Sequence, residues 1–117
     1  MLKLSHKKLD VWNESIELVT VIYMLTESYP SEEKFGLVPQ MRRASVSVSS
    51  NISEGAARSS KKERKRFYEI ARSSLVELDT QLEISKAINI IPTAELNALS
   101  ELMNKVFAKI TLLKRNS

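Results

Sequence analysis

Between Arg58 and Arg66 six of nine residues are basic, namely Arg58, Lys61, Lys62, Arg64, Lys65 and Arg66, against the single acidic Glu63. Cations at this density bind polyanions through phosphate contacts and counterion release, an association that salt weakens steeply and that reads base sequence poorly. The block also straddles an expected helix start, where positive side chains mildly oppose the helix dipole while the free N–H groups are good phosphate ligands. The plain alternative is a solubilising surface, because Lys and Arg are ordinary surface residues and neither a recognition helix nor a stacking aromatic pair accompanies them. Arg42 and Arg43, one helix upstream, are secondary phosphate contacts or partners at an interface.

A second pattern is polar and small. Gln40, Ala44, Ser47, Asn51 and Glu54 recur at steps of four and three, beside an apolar stripe of Val38, Met41, Ser45, Val48 and Ile52. Serine-rich helix interiors form helix only moderately well, and Glu54 near the C-terminal end opposes the macrodipole by about 0.3–1 kcal/mol. Small side chains let another helix approach closely, and Asn or Glu buried at such a contact needs explicit partners. Gln40, Ser47, Asn51 and Glu54 are therefore expected at a packing or subunit interface, with Arg42, Arg43 or a second subunit as their partners. Glu77, like Asp79 and Glu83, is expected on the third helix as a solvated or interface charge.

No reaction centre is legible. His6 is the only histidine and there is no cysteine, which removes paired Glu-x-x-His di-iron ligands, thiolate metal sites and disulfides. Glu54 has no accompanying base or nucleophile, and no glycine-rich phosphate loop occurs. The expectation is a protein that is not an enzyme and has no metal or cofactor.

The elements that must carry these residues are helical. Leu9, Trp12, Ile16, Val19, Tyr23 and Thr26 alternate by three and four, widened by Val11, Leu18, Ile22 and Leu25, and give a helix over about 9–28 that Pro30 ends. A second helix over about 38–55 starts around Pro39 and stops at Gly55, a residue that tolerates positive φ. Ser60-Lys61-Lys62-Glu63 is a capping box opening a third helix over about 61–89, with a core face of Phe67, Ile70, Ala71, Ser74, Leu75, Leu78, Leu82, Ser85 and Ile88. Pro92 and Thr93 open the last, over about 93–115, on Leu96, Leu99, Met103, Val106, Ile110 and Leu113. Four helices with short connections predict one antiparallel four-helix bundle domain over residues 1–117.

Composition agrees. Two glycines and three prolines in 117 residues leave little turn chemistry for a sheet, and 43% hydrophobic with 27% charged residues suits one compact domain. No run approaches the roughly 18 apolar residues of a membrane span, and the N-terminus lacks the apolar centre of a signal peptide, so the chain is expected in the cytoplasm without membrane contact. The net charge of +4 favours anionic partners.

Several blocks resemble the 23S ribosomal RNA intervening-sequence proteins: Leu9-Asp10-Val11-Trp12, Phe35-Gly36-Leu37, Gln40 to Val48, Ser50-Asn51-Ile52-Ser53-Glu54-Gly55, Arg66-Phe67 and Ile70 to Leu82. The sequence departs from that pattern at Pro39, where a small polar residue is usual, at Ser49, where proline is frequent, and at Ser53, where alanine is typical. The resemblance implies a left-handed up-and-down bundle assembling into a ring-shaped homopentamer, and similarity to retroelement accessory bundles implies nucleic-acid binding through a basic surface. Two functions are then expected: an oligomeric binder of RNA or DNA using Arg58, Lys61, Lys62, Arg64, Lys65 and Arg66, or an adaptor that docks a protein partner such as a polymerase. Repeating one patch over several subunits would raise avidity without new contacts.

Overall fold

The apolar rhythm folds into four helices in a computed structural model that describes residues 1–117: α1 (Asp10–Glu27), α2 (Leu37–Ala57), α3 (Lys61–Ala87) and α4 (Leu96–Arg115). Short 3-10 turns at Ser5–Lys8, Ser31–Glu33 and Thr93–Glu95 join or precede them, and there is no strand. No helix is long and apolar enough to cross a membrane. α2 packs on α1 and α3, and α4 closes the set against α3 and α1.

Along three of the seams the contacts pair in reverse order. Trp12 meets Ser53, Ser15 meets Ser49 and Thr26 meets Arg42 between α1 and α2. Ser47 meets Ser74 and Met41 meets Ser85 between α2 and α3, while Glu69 meets Lys114 and Arg72 meets Thr111 between α3 and α4. Between these seams lies one core of 19 buried residues, with Leu18, Ile22, Met41, Val48, Ile52, Leu78, Val106 and Ile110 fully enclosed. Full burial of such a side chain is worth about 1.5–3 kcal/mol, which offsets the entropy of ordering it.

Serine hydroxyls knit the α1–α2 seam. Trp12 Nε1 donates to Ser53 Oγ at 2.8 Å, Ser53 donates to the Ser49 carbonyl at 3.0 Å, and Ser49 donates to Ser15 Oγ at 3.0 Å. Both departures from the family pattern on this seam, Ser49 and Ser53, thus have a partner on α1. His6 is buried edge-on against Trp12, with ring centroids 5.0 Å apart, and closes the same end.

Several sequence expectations need correction. In α1 the inward face is Val11, Ser15, Leu18, Ile22 and Leu25, whereas Ile16 and Tyr23 are 42% and 41% exposed. Two apolar stripes compete there, and the one that wins places small Ser15 against Ser49 where the helices approach. In α3 Tyr68 is buried and Phe67 only half-buried, while Ile70 and Ile88 face outward.

Gly55 does not end α2. The helix continues to Ala57 and no glycine adopts positive φ. The glycine is needed for space, because a Cβ on it would lie 2.6 Å from Tyr68 Cε1, 2.8 Å from Tyr68 Cδ1 and 3.2 Å from Phe67 Cβ. The left-handed residue is instead Asn89, at φ 60°, beyond α3. There Ile90 N–H bonds the Ser85 carbonyl and Asn89 N–H the Lys86 carbonyl, a Schellman ending that supplies donors to carbonyls the helix would leave unpaired. Ser60 does cap α3, its hydroxyl accepting from Glu63 N–H at 3.1 Å. At the last helix, Thr93 opens a 3-10 turn and α4 itself starts at Leu96.

Two outcomes test this packing. Gly55→Ala adds a methyl against the buried Tyr68 ring. Overpacking of about 1–3 kcal/mol should outweigh the helix-propensity gain of up to about 1 kcal/mol, lowering the urea midpoint. The Lys114 ammonium, 2.6 Å from Glu69, holds that carboxyl below the usual carboxylate range. A depressed acid stabilises the fold above its unfolded pKa and loses that contribution as pH falls through its folded pKa. Lys114→Ala should therefore lose less stability than the parent between about pH 6 and about pH 3 in paired denaturation curves.

Candidate nucleic-acid interface

The turn between α2 and α3 is what aims the basic block. Arg58 is extended, Ser60 caps the next helix, and the Arg64 guanidinium staples the turn by donating to the Arg58 carbonyl at 3.3 Å and the Ser59 carbonyl at 2.8 Å. Arg64 therefore builds the site as much as it lines it. Burial pushes the neighbouring Tyr68 phenol above its ordinary value, and the Arg64 charge draws it partly back.

Lys61, Lys62 and Arg66 are exposed and Lys65 is half-exposed, and none of the four meets a carboxylate. Arg58 alone is paired, 3.5 Å from Glu54, with the two side chains 43% and 56% exposed. A pair this open to water is worth only about 0.3–0.5 kcal/mol and yields readily to a phosphate. The same contact supplies the compensation that Glu54 requires at the end of its helix. An aromatic residue does belong to the block: the Arg58 guanidinium lies 4.7 Å and that of Arg66 5.9 Å from the Phe67 ring centre. The apolar periodicity places Phe67 on the expected core face of α3, which hides this contact from the sequence.

Reverse-order packing gathers charges that are distant in sequence. Contacts of Ser15 with Ser49, Ser47 with Ser74 and Arg72 with Thr111 set the mid-height of the bundle. The half holding residues 1–18, 48–74 and 106–117 contains thirteen of the eighteen cations and six of the fourteen carboxylates, a net +7. Its opposite half is left at −3. Lys3, Lys7, Lys8 and Arg115 thereby join the pole of the basic block, a grouping that only the fold reveals.

Arg42 and Arg43 lie in the other half. Arg42 clamps α1, donating from Nε to Thr26 Oγ1 at 3.0 Å and from a terminal nitrogen to the Tyr23 carbonyl at 3.2 Å, with its guanidinium 4.5 Å over the Tyr23 ring. Arg43 is exposed and unpaired. Neither pairs with the polar stripe. Gln40 is exposed, while half-buried Ser47 and Asn51 bond each other at 3.0 Å and Ser47 bonds Ser74 at 2.8 Å within the chain. Exposed Glu77 accepts from Gln81 Nε2 at 3.2 Å, and the buried Gln81 Oε1 has no partner.

No three His, Asp or Glu side chains converge as metal ligands would. A groove of about 430 Å³ between α3 and α4 has an apolar floor of Leu75, Leu82, Leu99, Met103 and Phe107.

Among solved structures, the 1.70 Å crystal structure of a protein of unknown function from the S23 ribosomal protein family of Bacteroides thetaiotaomicron VPI-5482 has the same fold. The two share a TM-score of 0.78 at 18% identity over 89% of this chain and 97% of that one. No curated protein matches the sequence. The family model described as 23S rRNA-intervening sequence protein matches residues 7–112, nearly the whole bundle from the turn beneath Trp12 into the last turn of α4. The chain belongs to the 23S rRNA-intervening sequence protein family.

Proposed function

We propose that this chain is a non-enzymatic, left-handed, antiparallel up-and-down bundle that assembles with copies of itself in the cytoplasm and binds RNA or DNA through its basic pole. The single observation that carries the reading is the uncompensated set Lys61, Lys62, Lys65 and Arg66 at a pole of net +7. In the same half of the molecule Lys109 has Glu14 at 2.7 Å and Lys114 has Glu69. Lys61, Lys62, Lys65 and Arg66 do without such a partner, and phosphates are their natural complement. Reverse-order pairing along three seams supports the up-and-down topology, and family resemblance supports a ring of five, in which repeated poles bind with avidity. Gln40, Ser47, Asn51, Glu54 and Glu77 lie toward the α2–α3 face offered for that assembly.

A second reading, an adaptor for a protein partner, is favoured by Ile84 and Ile88, 44% and 50% exposed one turn apart on α3. Pull-down from nuclease-treated lysate separates it from the first.

Anisotropy with labelled RNA and duplex DNA should show affinity falling with salt at a log–log slope of about −0.9 per phosphate neutralised on duplex. Joint Lys61→Glu, Lys62→Glu and Lys65→Glu should weaken both ligands at least tenfold. Affinity indifferent to salt and to charge reversal would remove the proposal, and light scattering at the 13.3 kDa of one chain would remove its assembly.

A further inference from the structure

A second cationic site stands apart from the basic pole, in the half of the molecule whose charge is negative. Tyr23, Pro39, Arg42, Arg43, Val46 and Ser47 line a shallow depression of about 680 Å³ between the C-terminal half of α1 and the N-terminal half of α2. Two features make it more than a dent in the surface. Arg42 is fixed in place: of its five N–H donors one goes to Thr26 Oγ1 and one to the Tyr23 carbonyl, leaving three on a guanidinium already stacked on the Tyr23 ring. Arg43 adds a second, exposed guanidinium that no carboxylate neutralises.

The geometry points to a site for one unpaired nucleotide, its base laid flat against the Tyr23–Arg42 stack and its phosphate held by Arg43. Arginine planes and aromatic faces are the surfaces on which unstacked bases settle, whereas a base inside a duplex presents only its edge. A rigid guanidinium loses little freedom on binding, and two uncompensated arginines attract an anion where the surrounding charge repels it. Arg43 lies fourteen residues before Ala57, where α2 ends, about 21 Å along the helix, so one single strand can span this site and the basic pole. The inference deepens the nucleic-acid reading: it names single-stranded ligand as the preferred class and rests on that reading for the strand, though not for the nucleotide.

The experiment compares three labelled probes, a short single-stranded RNA, the duplex of the same sequence and a lone nucleoside monophosphate, on the parent protein and on Tyr23→Leu and Arg43→Gln. Tyr23 is 41% exposed, so its replacement should leave the thermal melt in place, and Arg43→Gln gives an independent variant should it not. Each variant is expected to weaken the single strand about tenfold, the loss of one stacked base or one phosphate contact, with duplex binding changed less than twofold. Measurable binding of the mononucleotide that both variants abolish identifies a free nucleotide as a ligand in its own right. Equal loss on single strand and duplex, or none on either, overturns the inference while leaving the basic pole standing, since reversal at Lys61, Lys62 and Lys65 still reads out there. A parent that binds none of the three overturns both proposals. A variant that falls apart in light scattering shows that the depression is covered by a second copy, and also overturns it.

Discussion

The bundle depends on α2 being narrow. Ala44, Ser45, Ser49 and Gly55 are all buried where α2 meets its neighbours, and none reaches far from the backbone. Larger residues would hold α1 and α3 off, and the Trp12 indole could then no longer reach Ser53. The serines bring hydroxyls into the interior, but each is satisfied: Ser45 donates to the Arg42 carbonyl at 2.9 Å and Ser49 to Ser15. A helix of such residues loses several tenths of a kcal/mol per position relative to alanine, and about 1 kcal/mol at the glycine. Close packing against two flanks returns that cost, so α2 is stable only as part of the assembly of helices around it.

Register follows from the same constraint. Gly55 admits the Tyr68 ring, Ser47 takes Ser74, and Met41 sets its sulfur 3.8 Å from the Ser85 hydroxyl oxygen. With those three levels set, Ser60 must begin α3 where it does, and the cations after it project from the first two turns instead of lying along a flank.

The periodicity of α4 and of the apolar stripe on α2 was legible in the sequence because each offers one face with no competitor. α1 was less so: Ile16 and Tyr23 belong to a stripe as apolar as the one that is buried, and the choice between them is made by Ser15 and Ser49, two residues no hydropathy pattern selects. Gly55 stands out in the sequence for its conformational freedom, whereas the bundle needs it for space. The basic block could be read directly from its composition. Its reach could not, because Lys3, Lys7, Lys8 and Arg115 join it only once helix ends from opposite parts of the chain meet, and Phe67 enters through guanidinium stacking that spacing does not encode.

The long axis of the molecule is 43 Å, and the 27 residues of α3 reach about 40 Å of it, so the cluster after Ser60 sits at a tip. In the proposed ring, copies standing side by side would crowd those tips into a single cationic crown, each new member meeting the repulsion of all the earlier ones. Electrolyte would relax that repulsion and at the same time loosen the grip on phosphate, so ring closure and ligand capture would answer ionic strength with opposite signs. A polyanion lying across the crown would then serve as its counterion, helping to close the ring that holds it.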